Sequence, residues 1–74
     1  MFVRDYFVEL HWLPKSEGGG WHVTVPDLPG CMSDGDTVEQ AMENVEDAIS
    51  CWIAAAERLG RDVPGPAAVH ERRA

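Results

Sequence analysis

Three aspartates lie close together in mid-chain, at Asp27, Asp34 and Asp36. Grouped carboxylates could hold a divalent cation for hydrolysis. No further carboxylate or histidine follows in the pattern of a two-metal nuclease, and turn and helix-cap roles account for Asp34 and Asp36. His11 and His22 each alternate with apolar residues and would face one another across a hairpin. They read as solvent-face histidines, and no metal or cofactor is expected there. Ser16, Ser33 and Ser50 fall in a loop, beside a turn and on a polar helix face, outside any G-x-S-x-G elbow. Cys31 and Cys51 form no C-x-x-C pair and have no zinc-finger spacing to a histidine. Cys51 is expected as a half-buried apolar filler on a helix. No residue earns a catalytic assignment, and the chain is not expected to be an enzyme.

The elements that carry these residues follow from periodicity. From Phe2 to Leu13 apolar and polar residues alternate, with Tyr6, Val8, Leu10 and Trp12 on one side. This predicts one long strand. Pro14 to Gly20 holds a proline and three glycines and predicts a flexible hairpin loop. Trp21 to Val25 alternates again, with Trp21, Val23 and Val25 inward, and should pair antiparallel with the first strand. Pro26 and Pro29 each fix φ and remove a backbone donor, so Pro26 to Gly30 is a stiff, shaped connection. Cys31-Met32-Ser33 is the candidate third strand, ended by Asp34-Gly35.

A helix follows. Asp36 and Thr37 are both candidate N-caps, and Thr37-x-x-Gln40 has capping-box spacing. Val38, Ala41, Met42, Val45, Ala48, Ile49, Trp52, Ala56 and Leu59 recur at helical spacing. Gln40, Glu43, Asn44, Asp47, Ser50, Ala54, Glu57 and Arg58 lie opposite. Gly60 stands where a C-terminal glycine stop belongs. The expected fold class is α+β: a two-layer unit of a small β-β-β antiparallel sheet on one long amphipathic helix, with room for a short C-terminal strand. Residues 1–66 would form this one domain and 67–74 a short tail. Val3, Phe7 and the flank of Trp52 are candidates for surplus apolar surface.

The 74 residues carry a net charge of −7. Residues 1–57 hold 11 acidic side chains against Arg4 and Lys15, or −9, and residues 58–74 hold four arginines against Asp62 and Glu71, or +2. An acidic body repels phosphate backbones and speeds the approach of basic partners, so direct nucleic-acid binding is not expected. No run approaches the length of a membrane span, and no signal peptide opens the chain. A cytoplasmic protein with both thiols reduced is expected. So small a chain has a thin core, and self-association is the expected source of added stability.

One stretch exceeds what packing requires. Val25-Pro26-Asp27-Leu28-Pro29-Gly30-Cys31 leads through Gly35-Asp36-Thr37 to Glu39-x-Ala41 at the helix start, then Asn44, Ala48 and Ile49, and ends with Gly60 and Val63-Pro64. This pattern resembles the N-terminal domain of HicB-like (UPF0150-like) antitoxins over roughly residues 6 to 66, in a short form without a DNA-binding segment. The resemblance implies a small sheet on one main helix, similar to a reduced ribonuclease-H-like fold without the nuclease's active site. It implies a domain that masks a small, basic, mRNA-cleaving HicA-like toxin and that self-associates as dimers or tetramers. On this reading Asp27, Asp34, Asp36, Glu39 and Glu43 cluster around the loop and helix start and contact the toxin, and Pro26, Pro29, Gly30 and Gly35 shape the loop. The alternatives are a self-assembling module with no toxin partner and a hydrolase built on Asp27, Asp34 and Asp36.

Overall fold

The computed structural model describes residues 1–65. It corrects the single strand expected over Phe2 to Leu13, which is cut into three pieces. β1 (Phe2–Val3) and β2 (Tyr6–Phe7) pair as an antiparallel hairpin. Arg4 and Asp5 turn it with φ of 51° and 67°. A two-residue hairpin of mirror-image type demands this left-handed backbone, which costs a non-glycine residue on the order of 1 kcal/mol. Alternation from Tyr6 onward is unaffected by the fold-back, which is why periodicity conceals it; the turn moves only the residues before it, Val3 among them, to the other side. Val3 and Tyr6 are register partners and both are buried. Val3 is therefore core, not surplus surface. Phe2 and Phe7, the other pair, stay exposed with their rings edge to face at 5.8 Å.

β3 (Glu9–Trp12), β4 (Trp21–Thr24) and β5 (Met32–Gly35) form the main antiparallel sheet, with β4 central. The expected pairing of the first two long segments holds, from Glu9↔Thr24 to Trp12↔Trp21. The third strand starts one residue later than expected and runs to Gly35, opposite Trp21. The connection expected to be loose includes a 3-10 turn at Lys15–Glu17, closed by the Leu13 N–H on the Gly20 carbonyl at 2.9 Å.

α1 (Val38–Arg58) lies over β5 and β4 and touches β1. Ala41, Val45, Ile49 and Ala56 are its buried stripe. Val45 and Ile49 share one core with Val8, Val23, Val25, Leu28 and Cys31, all buried from the strands and loop. The helix does not come alongside β3. Leu10 is consequently only partly buried, and Trp12, expected inward, is 63% exposed. Among the described residues no helix is long and apolar enough to cross a membrane. The short C-terminal strand and the tail expected over 67–74 lie outside the described residues.

Candidate partner-binding site

The loop after β4 owes its shape to its own backbone. The Leu28 N–H donates to the Val25 carbonyl at 3.0 Å, and the Cys31 N–H to the Leu28 carbonyl at 2.9 Å. These are two consecutive β-turns, with Pro26 and Pro29 at the positions where a fixed φ is favourable. Gly30 has φ +80°, as the third position of a type II turn requires. The Val25 N–H on the Cys31 carbonyl, at 3.0 Å, closes the whole loop. Val25, Leu28 and Cys31 thereby fall three residues apart on one side, and all three are buried. Burial pushes the Cys31 thiol above its ordinary 9.0. Leu28 is fully buried and was not singled out in the sequence. Its three-residue spacing between Val25 and Cys31 is the signal that could have found it.

The other end of the sheet starts the helix. Thr37 is the N-cap, its Oγ1 accepting the Gln40 N–H at 3.1 Å. The Asp36 N–H donates to Gln40 Oε1 at 3.0 Å. Asp36, the other cap candidate, thus stands one residue before the cap and contributes its backbone. Asn44 Nδ2 donates to the Asp34 carbonyl at 2.8 Å and ties α1 to β5. Gly35 carries no left-handed φ. A Cβ there would come within 2.5 Å of the Ala41 backbone nitrogen, so the residue is needed for close approach of strand and helix. At the far end Gly60 has φ +70°, and its N–H reaches the Glu57 carbonyl while that of Arg61 reaches the Ala56 carbonyl. This is the glycine stop expected there.

These constraints separate the acidic residues that the sequence reading grouped. Asp34, Asp36, Glu39 and Glu43 are all exposed and gather at the start of α1. Asp27 lies at the opposite end, in the loop held by Trp52, whose Nε1 donates to the Pro29 carbonyl at 2.9 Å. Trp52 stands 13 residues after Glu39, roughly 20 Å along the helix. Asp27 is half-buried, and its charge, after burial itself, raises the Tyr6 phenol. A single five-residue cluster is therefore corrected to a group of four, with Asp27 elsewhere. The structure extends that group along the helix. Glu43, Glu46, Asp47 and Ser50 line one shallow depression on its exposed face. Arg4, from the β1–β2 turn, donates to Ser50 Oγ at the end of this stripe.

One further residue departs from expectation. Cys51 is exposed, not half-buried. Tyr6 binds the far end of the described chain, its hydroxyl donating to the Pro64 carbonyl at 2.7 Å.

Among the described residues no group of three or more histidines, cysteines and carboxylates is placed to share a metal ion. An exposed acidic helix face is suited to binding a cationic surface.

A family model described as the HicB-like antitoxin of bacterial toxin–antitoxin systems matches residues 6–74. A UPF0150 protein of Thermoplasma acidophilum is 35% identical over 52 residues, covering 70% of this chain and 75% of that protein. A UPF0150 protein of Synechocystis sp. is 46% identical over 41 residues, covering 55% of this chain and 52% of that protein. The chain thus spans about half the length of the Synechocystis relative it matches. An uncharacterised protein from the rep-hol intergenic region of Haemophilus phage HP1 is 58% identical over 34 residues, 46% of this chain and 26% of that protein.

Proposed function

Because the chain belongs to the HicB-like antitoxin family of bacterial toxin–antitoxin systems, we propose that it binds and masks a small basic mRNA-cleaving toxin through the acidic face at the start of α1. The observation that carries this reading is the exposed stripe of Glu39, Glu43, Glu46 and Asp47, joined at its start by Asp34 and Asp36. On a body of net charge −7, such a face attracts Arg- and Lys-rich surfaces and offers charge-assisted hydrogen bonds on contact. Masking needs no catalytic group on this chain, which works by steric cover and charge. Pro26, Pro29 and Gly30 hold the loop that anchors the other end of the helix, so α1 is presented as a rigid edge.

The test is association of the whole chain with a co-expressed small basic partner. Glu39→Lys with Glu43→Lys should slow association at low salt and leave the chain folded. An unchanged rate at low salt would refute this surface. A second reading, self-assembly, is favoured by a different observation. The edge strand β3 lacks helix cover and ends in the exposed Trp12, and Phe2 and Phe7 of the preceding hairpin are exposed as well. Unpaired strand edges with apolar flanks pair readily with a second copy. Light scattering after size exclusion separates the two: a complex weakened by salt marks the toxin-masking role, and a salt-insensitive homo-oligomer indifferent to the basic partner marks the assembly role.

A further inference from the structure

We propose that His11 and His22 form a two-imidazole site for a divalent transition-metal ion on the open face of the sheet. The two residues are register partners between β3 and β4, so their side chains leave the same face of the sheet. Val23 marks the opposite face, since it is fully buried. The histidine face is the one turned away from α1, with His11 exposed and His22 half-buried. Their ring centroids are 6.4 Å apart and the rings are inclined by 35°.

That separation decides whether one ion can reach both. A zinc–nitrogen bond of about 2.1 Å puts the ion about 3.2 Å from each ring centroid. Two rings sharing an ion then stand at most about 6.4 Å apart when opposed and nearer 5 Å in tetrahedral geometry. The observed pair sits at the linear limit of this range, and tetrahedral binding requires side-chain rotation that brings the rings about 1 Å closer. Asp34 is the register partner of His22 on the next strand and exposed, so a carboxylate adds negative potential to the same row. Imidazole ligands select zinc, nickel or copper over magnesium or calcium. With only two protein ligands, water fills the remaining positions and the ion exchanges.

The test uses the full chain with Cys51→Ser, which removes the exposed thiol as a competing ligand. Zinc chloride is titrated while histidine ring resonances are followed by NMR. The rings of His11 and His22 should shift together and saturate at one ion per chain, and magnesium chloride should move neither. His11→Ala and His22→Gln should each weaken zinc affinity about tenfold or more, because either removes the chelate. His70→Ala should leave it within about twofold. Melting temperature without metal checks that each variant folds, and zinc should raise it in the parent but not in His11→Ala. Independent shifts of the two rings, an unchanged affinity in either strand variant, or loss of binding in His70→Ala would overturn the proposal. So would saturation at one ion per two chains, which would mean a bridge between copies.

Discussion

The indole Nε1 of Trp52 donates to the carbonyl of Pro29 at 2.9 Å, and this bond joins the last third of the helix to a loop 23 residues earlier. It fastens the turn-shaped segment that packs Val25, Leu28 and Cys31 into the core. Trp52→Phe keeps an aromatic ring and removes the donor. A bond of this kind contributes about 1 kcal/mol net, which lowers the melting temperature of a domain this size by about 4–8 °C. Thermal unfolding followed by circular dichroism reads it, and amide exchange at Cys31 should quicken. An unaltered melting temperature would show that the loop holds its place without the helix.

Leu28 is the larger anchor. Its side chain is fully buried, between two turns that cannot collapse around a void, because Pro26 and Pro29 restrict the backbone on either side. Leu28→Ala should cost about 2–5 kcal/mol. A domain of this length has about 3–5 kcal/mol to lose. The variant is expected to be largely unfolded at 25 °C in urea titrations that leave the parent folded. A loss below about 1 kcal/mol would place Leu28 outside the core.

Much of this was legible in the residues. The helix, its Thr37–Gln40 capping box and its Gly60 stop were readable because each depends on side chains within a few positions of one another. The β3–β4 pairing was readable because both strands alternate. The β1–β2 hairpin was not, since Arg4-Asp5 lacks the usual turn glycine and Tyr6, Val8 and Leu10 keep one alternating side whether or not the chain folds back before them; only Val3 changes side. Nor could Asp27 be separated from Glu39 and Glu43. They are near in sequence, and only the return of the helix along β5, fixed by Asn44 on Asp34 and Trp52 on Pro29, sends them to opposite ends.

Gly30 and Gly35 serve different ends, and alanine distinguishes them. At Gly30 nothing lies within 4 Å of an added Cβ, but φ is +80°, so Gly30→Ala should cost about 1–2 kcal/mol in backbone strain alone. At Gly35 an added Cβ meets the Ala41 nitrogen at 2.5 Å and the Gln40 backbone carbon at 2.8 Å. Strand and helix must then move apart, at about 1–3 kcal/mol or more. Gly35→Ala should therefore shift amide resonances through Gln40 and Ala41, and Gly30→Ala should leave them in place. Equal perturbation at the helix start in both variants would contradict the distinction.

Stability should fall in alkali through Tyr6. Burial first, then the negative charge of Asp27, raises its phenol above the ordinary 10.0, with Arg4 opposing. Below pH 10 the folded and unfolded chains both keep the proton, and Tyr6 adds no pH dependence. Above it the unfolded chain releases the proton first and binds fewer, so stability declines until the folded phenol titrates as well. Cys31, raised from 9.0 by burial, adds a decline of the same sign starting lower. Tyr6→Phe should lose about 1 kcal/mol near neutrality, with its bond to the Pro64 carbonyl, and show a shallower fall in alkali. Urea midpoints from about pH 7 to pH 11 give both readings. A parent and variant with parallel alkaline limbs would remove Tyr6 from the explanation.

The separation of Asp27 from the helix-face acids sets the sharpest test of partner binding. Exposed charges act over about one Debye length, about 8–10 Å near physiological salt. Trp52, which holds the Asp27 loop through Pro29, stands roughly 20 Å along the helix from Glu39 and about 14 Å from Glu43, and Asp27 is half-buried near Tyr6. Glu43 and Asp47 are exposed on the stripe itself. Glu43→Lys with Asp47→Lys should slow association with a basic partner several-fold or more at low salt, and the deficit should shrink as salt rises. Asp27→Asn should change the rate less than about twofold. Stopped-flow fluorescence is suited to the measurement, since Trp52 reports from the loop end and Trp12 and Trp21 from the opposite end of the sheet. If Asp27→Asn slowed association as much as the double reversal, the partner would be seated on the proline loop, and the acidic start of α1 would be a solvated face.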